Sequence, residues 1–445
     1  ELLRRSPRVR SSILNEYGAE VSSETLETSS TSRRLWPRII PVSLAAAAVL
    51  VFLLLQPWDI QIRPTQQAIA AENRLVILNF QNTPDPPDTA RLGEIAANLL
   101  ITDLSESRFI DVVSSQRLYD LKRLRGIEDQ QSLDPSTASK IATDARARWI
   151  MQGNILQVAP RLEVTVQLTD VTTGELITSQ RFTGKTDQDI FSLVDELSVK
   201  VKDKLALPMA AMNEPDPQVA EVTTHSAEAY RWYLEGLENL NKVYRPEAIA
   251  AFEKALEYDS TMAMAHYYLA RLKDRSHLAE AVRYSHGASQ KEQSYIRVLQ
   301  ASANRDYEAA IAELKRLLEK YPDEKEALYR LGRYHIILGK RQEAISYLER
   351  AVQVYPLYKV AYNQLAYTYL NTGDYEKSLV AINKYIDIAP DEANPYDTRG
   401  DIYAAAGRLD DAINSYRKAL GLSPAMCARR TLGVRCLSGE PPVSS

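Results

Sequence analysis

"PDEKEALYRLGRYHIILGKRQEAISYLERAVQVYP" runs from Pro322 to Pro356 and sets the frame for the second half of the chain. Its end prolines stand 34 residues apart, and Pro390 and Pro424 continue the interval. Gly339, Gly373 and Gly407 keep the same spacing, as do Ala344, Ser378 and Ala412, and the small residues Gly332, Ala366 and Gly400. Each recurring position has a physical reason. Proline cannot continue a helix, so the comb prolines close the second helix of each unit. The glycines at 339, 373 and 407 allow the turn between two helices. The small residues at 332, 366 and 400 let the first helix approach the second closely, with Ala344, Ser378 and Ala412 at the same crossing. The spacing therefore predicts stacked helix pairs.

This arrangement resembles the tetratricopeptide repeat, which implies an all-α solenoid with a concave binding face. Ala310, Leu314, Leu317 and Pro322 complete an earlier copy whose first helix begins near Lys291. Trp232, Gly236, Ala248, Phe252 and Ala255 form another, and residues 263–290 hold a degenerate, shortened unit. The solenoid is expected over 226–424, followed by an irregular tail over 425–445. Cys427 and Cys436, the chain's two cysteines, lie in that tail. They could pair in an oxidising compartment or be incidental. The concave face is built mainly by the first helix of each pair. The residues three before and one after its small position are the candidate protein-binding groove: Tyr329 and Arg333, Asn363 and Tyr367, Asp397 and Asp401. Asp397 and Asp401 would repel a terminal carboxylate, so an internal or basic protein segment is the expected peptide ligand. Leu328, Leu331, Tyr362, Leu365, Tyr396 and Tyr403 read as packing residues.

Between residues 74 and 205 the period changes repeatedly. Arg74–Phe80 is a β-rich run ended by a turn, and Leu92, Ile95, Ala96, Leu99 and Leu100 recur at helical spacing. Residues 109–113 form a short strand, 138–147 a helix and 149–158 a strand. From Arg161 the alternation is strict, with Leu162, Val164, Val166 and Leu168 on one face. Thr172-Thr173-Gly174 turns this strand into its partner at 176–182. A last helix starts near Thr186 and buries Ile190, Val194, Leu197 and Val201. The blocks "RLVILNFQN", "FIDVVSSQRLYDL", "IATDARARWIMQGNI" and "RLEVTVQLTDVTTGEL" resemble the TolB amino-terminal-like domain. That resemblance implies a small, non-catalytic α/β domain at 74–205. Residues 206–225 contain three prolines and read as the linker to the solenoid. Asn79 departs from the family's usual proline. In chains with this domain after one membrane helix, tetratricopeptide repeats commonly follow, and a winged-helix regulator of the CadC type, a Ser/Thr kinase or an adenylate cyclase commonly precedes.

Residues 39–58 are twenty consecutive uncharged positions. A helix of that length spans roughly 30 Å, the thickness of a hydrocarbon core. Trp36 and Trp58 stand at its ends, and Arg33, Arg34 and Arg38 precede it. The expectation is a transmembrane helix with residues 1–38 as a cytoplasmic linker and the rest extracytoplasmic, in a bacterial inner membrane crossed once. A buried core helix and a cleaved signal peptide are the competing readings. The chain begins at Glu1 rather than Met, which reads as a fragment or processed product. The expected fold class is thus α+β multidomain: one transmembrane helix, a small α/β domain, then a helical solenoid.

A charged fraction of 25% and a hydrophobic fraction of 45% are ordinary for folded domains. A net charge of −4 gives no basic footprint, so nucleic acid is not an expected partner. There is no H-E-x-x-H, no phosphate-binding glycine loop and no G-x-S-x-G, so no catalytic residue, metal or cofactor is assigned. His277 and His286 read as packing or solvated groups, and Asp410-Asp411 as a solvated helix start. The functional expectation is protein–protein interaction, as the sensing or scaffolding half of a bacterial signalling protein. The rival is the C-terminal part of a membrane-bound Ser/Thr kinase, adenylate cyclase or winged-helix regulator whose cytoplasmic domain precedes Glu1.

Overall fold

The structure, a computed structural model, describes residues 70–423 apart from 129, 131–132, 159–160, 185–189, 206 and 243. The first part runs β1 (Arg74–Ile77), β2 (Gln81–Asn82), α1 (Leu92–Leu104), β3 (Asp111–Val112), α2 (Ser115–Leu124), α3 (Pro135–Asp144), β4 (Trp149–Gln157), β5 (Glu163–Asp170), β6 (Leu176–Thr183) and α4 (Ile190–Lys204). The sheet order is β3-β1-β4-β5-β6, with β2 beside the far end of β4. β1 pairs in parallel with β3 and β4, and the β4-β5-β6 run is antiparallel.

Side-chain alternation explains the layers. Leu75 and Ile77 of β1 share one cluster with α1 and α4, whereas Val76 and Leu78 share another with α2 and α3. On β5, Val164, Val166 and Leu168 are buried, as is Leu162 just before it, while Gln167 is exposed, as strict alternation requires. Gly153 is forced by packing, because a Cβ there would lie 2.3 Å from the Phe80 ring. Helix α2 has no counterpart in the sequence reading. Ser114 starts it by accepting from the Arg117 N–H, and Leu118 and Leu121 bury its inner side. Residues 207–225 are not free: Val219 is fully buried, and its N–H donates to Asp195 on α4 at 2.8 Å.

The solenoid follows as pairs. These are α5 (Ala227–Asn241) with α6 (Arg245–Tyr258), α7 (Ala263–Leu272) with the short α8 (His277–Arg283), and α9 (Gln290–Ala303) with α10 (Tyr307–Lys320). Three regular pairs complete it: α11 (Lys325–Ile337) with α12 (Arg341–Val354), α13 (Lys359–Thr372) with α14 (Tyr375–Ile388), and α15 (Ala393–Ala405) with α16 (Leu409–Leu422). The small residues work by contact. A Cβ on Gly332 would meet Leu348 at 2.6 Å, one on Gly400 the Tyr416 ring at 2.4 Å, and one on Gly236 the Phe252 ring at 2.5 Å. Ser378 donates to the Ala366 carbonyl across the same crossing at 2.7 Å. Gly339, Gly373 and Gly407 have φ of 74°, 82° and 75°, a left-handed backbone that glycine adopts without strain.

All described elements belong to one compact unit. One apolar cluster runs from Ile95 and Leu99 of α1 through Tyr230 and Tyr233 of α5 to Phe252 and Ile296. Successive repeat boundaries then touch the α/β domain at the repeat interval. Tyr321 donates to the Glu106 carbonyl at 3.0 Å, and Tyr355, 34 residues on, donates to Asp120. Beyond them Arg123 pairs with Asp391 and Glu392. The inner helices therefore face the α/β domain.

Two expectations require correction. The described chain is mostly helical with a tetratricopeptide-like solenoid, and among the described residues no helix is long and apolar enough to cross a membrane. Its longest helices, α4 and α5, have 15 residues and carry charges; at about 1.5 Å per residue they fall short of a hydrocarbon core. The transmembrane helix is therefore removed from the fold class, and the single-pass inner-membrane localisation is not supported. The segment 39–58 itself lies outside the described residues, as do residues 1–38, Thr186, Pro424 and the tail with both cysteines.

Candidate functional site

Because the solenoid's inner helices face α1, α2 and the β1–α1 loop, a cleft of about 1600 Å³ lies between them. The α/β wall supplies Phe80, Arg91, Asn98 and Tyr119, and the solenoid wall supplies residues of α5, α7, α9 and α11. The solenoid wall is a ladder of arginines and tyrosines. Tyr358 donates to Glu326 at 2.5 Å, and the same carboxylate takes the Arg330 Nε–H at 2.7 Å. Arg330 Nη2 donates onward to the Tyr267 hydroxyl at 2.7 Å and lies 5.1 Å from the Tyr295 ring centre. Arg271 continues the ladder, 5.4 Å from the Tyr267 ring centre. Stacked guanidinium and phenol groups give a wall that is apolar on its ring faces and hydrogen-bonding at its edges.

The electrostatics of the cleft follow from burial. Loss of water pushes the Glu292 carboxyl up to about 7, although its capping-box bond from the Ser289 N–H favours the charged form. Burial lowers the Lys325 ammonium to about 8, against the pull of Asp120. Lys325 Nζ sits 3.9 Å from the Tyr355 ring centre. Arg91 ties Glu94, at 2.6 Å, to Glu238 of α5, at 2.7 Å. Among the described residues there is no cluster of three or more His, Cys, Asp or Glu able to hold a metal. His277 meets His266, Nδ1 to Nδ1, at 3.1 Å, and Asp411 pairs with Arg408 at 2.7 Å at the start of α16.

The six groove residues separate into two groups. Tyr329 and Arg333 line the cleft, with the Arg333 guanidinium 5.9 Å from the Tyr329 ring centre. Asn363, Tyr367, Asp397 and Asp401 are not in its lining. They join α13 to α15: Thr398 donates to Asn363 at 3.0 Å, Tyr367 donates to Asp401 at 3.0 Å, and Asp397 is buried. Tyr416 donates to the other oxygen of Asp401 at 2.8 Å. Sequence reasoning missed Tyr267, Arg271, Lys325, Glu326 and Arg330. Of these, only Arg330 lay beside a chosen position, one place after Tyr329.

Residues 282–435 match the family model of the tetratricopeptide repeat-like domain. The chain carries a tetratricopeptide repeat-like domain. It is similar to a putative adenylate cyclase 3 of Rhizobium meliloti (strain 1021), 22% identical over 219 residues that cover 47% of this chain and 34% of that protein. The chain thus spans about a third of the length of this curated relative. Among solved structures it is similar to MamA, with 23% identity, TM-score 0.28, and coverage of 43% of this chain and 96% of that one. It is also similar to YrrB, "a TPR protein with an unusual peptide-binding site", with 20% identity, TM-score 0.28, and coverage of 46% and 92%.

Proposed function

We propose that this tetratricopeptide repeat protein is the protein-interaction module of a signalling protein, and that its cleft takes an extended protein segment. The observation that carries the reading is the placement of Tyr329 and Arg333. Four residues apart on α11, they point from one helix face into a cleft closed on its far side by the chain's own α/β domain. Arg and Tyr are the residue types that anchor interfaces, because each combines a large flat surface with directed hydrogen bonds. Asn363, Tyr367, Asp397 and Asp401 extend the same helix face and would contribute by holding α13 against α15.

The α/β domain is read as TolB amino-terminal-like on its sequence blocks, and its own contribution is one wall of the cleft. Similarity to a putative adenylate cyclase favours a cyclase as the signalling partner.

Capture of the physiological partner by the full chain, compared with Tyr329→Ala and Arg333→Ala, tests the binding reading. The double variant should lose at least tenfold in affinity, and unchanged affinity would remove the cleft from the account. Reading the gene upstream of Glu1 tests the signalling reading. A cyclase domain in frame supports it, and an unrelated domain counts against it.

A further inference from the structure

The contacts between solenoid and α/β domain are not uniform along the chain. The first repeats share a continuous apolar core with α1. At the next boundaries Tyr321 and Tyr355 are 9% and 2% exposed, and each donates a hydrogen bond across the interface. At Tyr355 the Arg117 guanidinium adds a ring contact at 5.5 Å, and Leu357 packs on the cluster under α2. The last boundary is different in kind. Arg123 reaches Asp391 at 3.1 Å and Glu392 at 3.5 Å, and the Asp391 side chain is 70% exposed.

Glu392 is held ready for this contact from the solenoid side. Lys359 pairs with one of its oxygens at 2.5 Å and Tyr385 donates to the other at 2.8 Å. Lys359 and Val360 are also the cleft's lining residues at the start of α13, opposite Tyr119 and Lys122 of α2. The ion pair therefore sits beside the rim of the cleft.

We propose that Arg123 with Asp391 and Glu392 is a releasable clasp. Opening it lets the two repeats from α13 to α16 swing from α2 about the fixed point at Tyr355, and widens the cleft mouth. The physical basis is the contrast between neighbouring boundaries. An exposed ion pair contributes about 0–1 kcal/mol and is screened beyond about 8 Å at physiological ionic strength. Buried hydrogen bonds and apolar contacts are much less sensitive to salt. The clasp is thus the boundary that a charged partner or raised salt would release first. This inference rests on the proposed binding role of the cleft, but its test uses no partner, so the two can fail separately.

The test uses the full chain with Cys427→Ser and Cys436→Ser, spin-labelled at Val199→Cys on α4 and Val380→Cys on α14, both exposed positions. Pulsed dipolar spectroscopy reads the distance distribution. Raising salt from about 0.05 M to about 1 M should move it to longer distances, because the Debye length falls from more than 10 Å to about 3 Å. Arg123→Glu should give the long distribution already at low salt. Adding Asp391→Arg to Arg123→Glu should restore the short one at low salt. Identical distributions for the parent and Arg123→Glu, or a salt response that Arg123→Glu leaves intact, would overturn the clasp. Arg123→Gln serves as a second, milder variant with the same expected direction.

Discussion

Tyr355, the residue before a comb proline, donates its hydroxyl to Asp120 of the α/β domain at 2.5 Å, across 235 positions of sequence. The bond is made inside the interface. Tyr355 is nearly fully buried, and burial pushes the Asp120 carboxyl up while the Tyr355 hydroxyl pulls it back. Removing the hydroxyl leaves a half-buried carboxylate short of a partner.

Tyr355→Phe should therefore destabilise the chain by about 1.5–3 kcal/mol, the range for a hydrogen bond to a charged group. Urea denaturation measures it. Tyr321→Phe, which loses only a bond to a carbonyl, should cost about 1 kcal/mol. Equal effects of the two variants would show that the Asp120 contact is not special.

Three helical glycines of the solenoid give effects of opposite sign. Gly332→Ala and Gly400→Ala each press a methyl group into a packed side chain, Leu348 or Tyr416, and should cost about 1–3 kcal/mol. Gly421→Ala lies in α16 with nothing within 4 Å of the added Cβ. It should stabilise by roughly 0.5 kcal/mol through helix propensity. Thermal melts of the three variants check both directions.

The pH dependence follows from three groups that the fold strips of water. Burial raises Asp103 to about 6 and Glu292 to about 7, above their ordinary values of 3.8 and 4.5. Between those limits the folded chain binds more protons than the unfolded one, so stability falls as pH rises from about 4 to about 7. Lys325, lowered to about 8 from 10.5, acts in the opposite sense: stability recovers as pH rises from about 8 toward 10.5. Glu292→Gln keeps the capping box and removes one charge. It should raise stability at pH 8 by on the order of 2 kcal/mol and leave it unchanged near pH 4. Equal gains at both pH values would contradict the burial argument.

The parts legible in the sequence are those with local causes. The helix pairs follow from small residues, turn glycines and prolines repeating within one unit, and the contacts of Gly332, Gly400 and Gly236 show why those positions are small. Strand β5 was legible because a half-buried strand alternates. Helix α2 was missed because its ten residues are mostly polar, although Ser114 followed by Leu118 and Leu121 carried a cap and a three-residue step. Two of the six groove residues reach the cleft, and the reason is long-range. Which inner positions face the cavity depends on how the α/β domain docks, through bonds such as Tyr355–Asp120 that leave no local pattern. The membrane expectation rests on 39–58, which lies outside the described residues, and among the described residues no helix is long and apolar enough to cross a membrane.

The most direct test of the account places a photoreactive benzoylphenylalanine at position 329 on the cleft wall, or at exposed position 380 on the outside, in the full chain expressed in its own cells. Irradiation at 329 should give a discrete covalent adduct with a partner polypeptide, lost on Arg333→Ala, while 380 gives none. An adduct at 380 with none at 329 would place the partner on the outer surface and contradict the cleft.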